Sequence, residues 1–137
     1  MTRSTRSMAV GAAACAITLA CLPTDSCGCS VPAPSTWVEG TVRNGAGSPI
    51  PGVAIAARSL PPDCADISGI PADLWGVSDT DGAYRVLIYG VGGPETCAEI
   101  VAVRTIGMTA DTIVVHELVE PAIPEPPPVA LDLVFPG

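Results

Sequence analysis

Cysteine, aspartate and a single histidine are the residues of this 137-residue chain whose types and spacing suggest chemistry. Six cysteines stand at positions 15, 21, 27, 29, 64 and 97, and the one histidine is His116. Thiols so spaced offer lipid attachment, disulfide formation or metal binding. Cys27-Gly28-Cys29 lacks a second pair of soft ligands at metal spacing, so pairing with each other or with another chain is favoured over a metal. Asp79 and Asp81 suggest a weak ion loop, but no third carboxylate joins them, and aspartate serves turns by accepting bonds from nearby backbone N–H groups. His116 lies beside Glu117 without a Gly-x-Ser-x-Gly or His-Glu-x-x-His pattern around it, and Gly90–Gly93 is followed by neither lysine nor a helix start. No catalytic residue, metal ligand or cofactor is assigned, and the expectation is a chain that is not an enzyme.

The clearest address is at the N-terminus. Arg3 and Arg6 precede an uncharged run from Met8 to Leu22, the length of a signal-peptide core and short for a membrane span of about 20 residues. Thr18-Leu19-Ala20-Cys21 resembles the bacterial lipobox, whose cysteine becomes the lipid-modified first residue, although Thr18 stands where leucine is preferred. An ordinary cleaved leader with a stray cysteine is the alternative. Lipidation at Cys21 implies residues 1–20 as a signal peptide and export to a membrane facing the periplasm or exterior. Residues 21–36, rich in cysteine and proline, then form a tether.

The elements that must position the remaining residues read as strands. Ser78-Asp79-Thr80-Asp81-Gly82-Ala83-Tyr84-Arg85 is a tight turn launching a strand, with Asp-Gly as its hairpin signal. Asn44–Pro51 is expected to form a matching first hairpin. Alternation predicts strands at 37–43, 53–58, 74–78, 83–89, 98–105, 112–118 and 129–135. Val38, Val42, Val53, Ile55, Tyr84, Val86, Ile88, Val101, Val103, Leu131 and Phe135 are expected inward. The Pro121–Pro128 segment holds five prolines and can be neither helix nor central strand. The fold class is therefore all-β: a seven-stranded antiparallel Greek-key β-sandwich over residues 37–137.

If successive strands reverse direction, the loops carrying Cys64 and Cys97 meet at one end. A Cys64–Cys97 disulfide is expected there. The segments 59–73, 90–97 and 119–128 gather at that same end, which makes it a candidate surface with Trp75 near its rim.

Composition narrows the partners. Formal net charge is -8, with 14 acids and six arginines and no lysine. Such a surface repels phosphate, so nucleic acid is excluded as a partner.

Gly40-Thr41-Val42, Gly47-Ser48-Pro49-Ile50-Pro51-Gly52-Val53 and Thr80-Asp81-Gly82-Ala83-Tyr84 together resemble the carboxypeptidase regulatory-like domain, over about Val38 to Phe135. The 59–73 loop is longer than that family's usual link, and Gly107-Met108 stands where Gly-Tyr is usual. The resemblance implies a transthyretin-like sandwich serving as a non-catalytic accessory module. The expected function is thus an envelope-anchored interaction module, held to the membrane by lipid and contacting an envelope protein. The alternative is a surface domain binding carbohydrate or another small ligand.

Overall fold

β-Branched side chains fit a pleated surface with one buried face, and their alternation carries most of this chain into strands. The computed structural model describes residues 32–67 and 74–137. Residues 1–31, with Cys21, Cys27 and Cys29, lie outside the described residues, as do 68–73. Eight strands follow in order: β1 Ser35–Asn44, β2 Ala54–Leu60, β3 Leu74–Val77, β4 Ala83–Tyr89, β5 Thr96–Ile106, β6 Thr109–Val119, β7 Val129–Ala130 and β8 Leu133–Phe135. No helix occurs among the described residues. One sheet places β1 between β4 and the β7–β8 segment; the other runs β3-β2-β5-β6.

The core lies between the sheets. Val38, Val42, Tyr84, Val86, Ile88, Leu133 and Phe135 from the first meet Ile55, Ala57, Ala98, Ile100 and Ala102 from the second. Each fully buried isoleucine removes enough apolar surface to stabilise the fold by about 2 kcal/mol. Among the described residues, Tyr84 and Phe135 are the aromatic members of this core, which is otherwise aliphatic.

Two expectations about pairing are corrected. The first expected hairpin forms only at its tip, where the Asn44 N–H donates to Ser48, the Ile50 N–H donates to Val42 and Arg43 bridges Pro49. The second does not form, and the full strands pair elsewhere, β1 with β4 and β2 with β3 and β5. The segments around Asn44–Gly52 and Ser78–Gly82 are arches from one sheet to the other. Ser78 locks them together: its hydroxyl donates to the Ile50 carbonyl at 2.8 Å and accepts from the Val53 N–H at 2.9 Å. The true hairpin joins β5 to β6 through Gly107-Met108, where Gly107 takes φ +61°. The face of β5 is also reversed. Ala98, Ile100 and Ala102 are buried, whereas Val101 and Val103 are half-buried on the outside. Ile100 stands opposite Ala57 and Ala102 opposite Ile55, so large and small side chains alternate across the inner face.

The seventh expected strand is two strands, parallel to β1 rather than antiparallel. Its register is unchanged across the break, with Val38 opposite Val129 and Val42 opposite Leu133. At the break the Leu131 N–H still donates to Glu39 at 2.9 Å. The next ladder bond is replaced: the Thr41 N–H donates to the Asp132 carboxylate at 2.8 Å. Gly40 permits this approach, since a Cβ there would run into the Leu131 backbone.

Candidate functional site

Strand direction alternates along the chain even though the connections are arches, and this decides where the cysteines go. Cys64, in the loop after β2, and Cys97, at the start of β5, are disulfide-bonded with Cα atoms 5.3 Å apart. The pairing is the one expected from alternating strands. Around it stand the other expected neighbours: Cys97 is opposite Leu60 and Leu118, Gly90 donates to Pro34, and Ser35 bridges Ala122. The chain enters β1 at this same end. Trp75 stands in register opposite Ala56, on the edge strand β3.

Asp79 and Asp81 act separately. The Asp79 carboxylate accepts from the N–H groups of Asp81 and Ala83, each at 2.9 Å, while Asp81 points to solvent. The pair builds the turn before β4, and Gly82 completes it at φ +76°.

The principal cluster joins residues far apart in sequence. On the outer face of the second sheet, Arg58 of β2, Glu99 of β5 and His116 of β6 are directly opposed in register. Arg58 grips Glu99 with two bonds, Nε to Oε1 at 2.6 Å and Nη2 to Oε2 at 3.2 Å. His116 Nε2 lies 2.9 Å from the same Oε2, and Asp66 caps the Arg58 guanidinium at 3.1 Å. Forked guanidinium–carboxylate bonds are both strong and directional. The hydrogen bonds from Arg58, and then His116, hold the Glu99 carboxyl below its ordinary range against the opposing effect of burial.

Sequence inspection places His116 beside Glu117. Adjacent strand residues point to opposite faces, so the partner is Glu99, directly opposite on the neighbouring strand β5. The usable signal was the β5–β6 hairpin, whose register opposes 99 and 116.

Apolar groups flank this charged row. Val114 and Leu118 are 52% and 53% exposed on β6, and Val77 is 66% exposed on β3. Val101 and Val103 lie on β5 between β3 and β6, and the charged row crosses this face between Val114 and Leu118. Apolar groups with fixed polar groups among them are the makings of a protein contact surface. Elsewhere, Arg104 bonds Asp111 at 2.6 Å and lies 4.7 Å over the Phe135 ring, beside a groove that also includes Pro136. On the first sheet, Arg85 lies 4.1 Å over Trp37.

The sequence matches no family model, and no curated protein matches it. Among solved structures the chain is similar to a chlorocatechol 1,2-dioxygenase from Pseudomonas putida, at 19% identity and a TM-score of 0.49. The likeness covers 79% of this chain and 62% of that one, so this chain spans less than two thirds of the neighbour's length. The expectation of a chain that is not an enzyme is corrected by this finding, because the solved neighbour is an enzyme. The likeness assigns no reaction. The all-β architecture of two facing sheets is compatible with a β-sandwich. The disulfide is compatible with an oxidising, exported setting. Among the described residues no helix is long and apolar enough to cross a membrane.

Proposed function

We propose that this chain is a cell-envelope β-sandwich module, related to the carboxypeptidase regulatory-like domains and anchored through lipidated Cys21. It works by contact between the outer face of its second sheet and a partner protein of the envelope. The observation that carries this reading is the exposure of Val114 and Leu118 beside the Arg58–Glu99–His116 row. Covering the exposed half of each of these side chains would gain about 1 kcal/mol. The test is photocrosslinking from position 114 in native membranes, with L118D as the comparison. One discrete crosslinked species, lost in L118D while the domain stays folded, supports the reading. An unchanged pattern in L118D contradicts it.

A second reading, carbohydrate binding, is favoured by Trp37 and Tyr89. They occupy diagonal positions on the outer face of the first sheet, opposite Leu87 and Ser35. Aromatic faces suit pyranose rings, and a sugar stacking on Trp37 would displace the Arg85 guanidinium that lies 4.1 Å over its ring. Trp37-dependent fluorescence changes on adding oligosaccharide, absent in W37A, would favour this reading over the first.

A further inference from the structure

The connection from β6 to β7 has chemistry that a crossover between sheets does not require. A proline ring fixes φ at about −65°, and the residue before a proline is pushed out of the helical region. Glu125, Pro126 and Pro127 each precede a proline. Glu125–Pro128 is therefore held in the extended left-handed helix of about three residues per turn, without internal hydrogen bonds.

Both ends of this strap are pinned. Ala122 bridges Ser35 before it, and Val129 pairs with Val38 after it. The threefold period matches the exposure pattern. Pro126 and Val129 are half-buried against the domain, whereas Pro124 and Pro127 share one exposed edge and Glu125 and Pro128 another. Ile123, 58% exposed, stands before the cis Ile123–Pro124 bond and outside this threefold pattern. Ser35 Oγ makes only a long contact, 3.4 Å, to the Glu125 carboxylate. A simple crossover needs neither an exposed isoleucine nor prolines at the outward positions.

We infer that Pro124–Pro128, which follows the cis Ile123–Pro124 bond, is a preformed polyproline ligand for a partner domain whose shallow groove is lined by tyrosine and tryptophan rings and rimmed by a basic side chain. Proline rings pack on aromatic faces, and the free carbonyls of the strap accept from tyrosine and tryptophan donors. Glu125 and the net charge of -8 select a basic rim. Because the ends are already fixed, binding forgoes most of the ordering cost that a loose peptide incurs. This surface is separate from the outer face of the second sheet, so its test stands apart from that of the proposed function.

The experiment is a titration of the isotope-labelled full domain with modules of the SH3 and WW type, followed by amide chemical shifts. The expected result is saturable binding by at least one module, with shifts confined to Ile123, Glu125, Val129, Ala130 and Ser35. P124A/P127A is expected to weaken it at least tenfold, and E125K severalfold, with the remaining spectrum unchanged. A free peptide of residues 120–130 is expected to bind more weakly than the domain. Absence of saturable binding by every module, retention of affinity in P124A/P127A, or shifts centred on β6 would each overturn the inference, the last pointing to strand addition.

Discussion

The phenol of Tyr84 donates to the carbonyl oxygen of Leu131 at 2.6 Å, linking β4 to the break between β7 and β8. In an unbroken parallel ladder that carbonyl would receive the Thr41 N–H. Tyr84 takes the carbonyl instead, and Asp132 takes the N–H, with a second bond from the Thr41 hydroxyl at 2.9 Å. Gly40 leaves room for the exchange. Five residues on three segments thus fix how the chain's last strand closes the first sheet.

Removing the phenol strands a largely buried carbonyl. Tyr84→Phe is expected to cost about 1–2 kcal/mol, with a fall in Tm of about 4–8 °C per kcal/mol. Differential scanning calorimetry on the variant checks this; an unchanged Tm would mean that the Leu131 carbonyl finds another donor.

The same residue sets an alkaline limit. Burial, and then the charge of Asp132, push the Tyr84 phenol above its ordinary value. The unfolded chain loses this proton first, so the stability is fully present below about pH 10 and is lost as pH rises towards the folded value. Urea midpoints measured between pH 8 and 11 should fall above pH 10 in the native protein and less in Y84F.

Acid acts in the opposite sense. The Thr41 N–H, then its hydroxyl, hold Asp132 below its ordinary range, and the Arg58 bonds do the same for Glu99. The stability from both is present above about pH 4 and is lost as pH falls through the lowered values. Solvent screening keeps each contribution small. D132N keeps an acceptor for Thr41 while removing the charge, and its stability profile below pH 4 should be flatter than that of the native protein.

Gly40→Ala is a steric test. The added Cβ would lie 2.6 Å from the Leu131 carbonyl carbon, a backbone atom that cannot swing aside. We expect a loss of about 1–3 kcal/mol in chemical denaturation. Gly47→Ala offers a comparison in which the added Cβ meets nothing within 4 Å, although φ is +83° there.

The Cys64–Cys97 bond spans a sequence separation of 33 residues. Constraining the unfolded chain over such a loop stabilises the fold by about 3 kcal/mol. Denaturation with and without reductant should show that difference in the native protein, and C64S/C97S should show none.

Much of this fold was legible in the sequence because strand parity is a local property. The expected 83–89 strand coincides with β4, and Tyr84, Val86 and Ile88 are buried as their alternation requires. Which strand pairs with which was less legible. Asp-Gly and Gly-Ser-Pro signal a reversal of the chain, but an arch between sheets reverses it as well as a hairpin does. Direction survives that ambiguity, so the cysteine pairing was accessible while the strand partners were not. On β5 both faces are apolar, and alternation of Ile100 and Ala102 against Val101 and Val103 does not say which side is inner. The Glu99–His116 contact depends on register across Gly107-Met108, and the Asp132 exchange depends on a side chain replacing a ladder bond. Neither leaves a local signature.

Export and lipidation at Cys21 of the stapled domain are the central proposal, and intact-mass measurement of the protein from its own host tests them most directly. Run with and without reduction, it should show a chain lacking residues 1–20, carrying acyl chains, with Cys64 and Cys97 in one crosslinked peptide. A bare chain cut at another position, with both of those thiols free, would contradict the account.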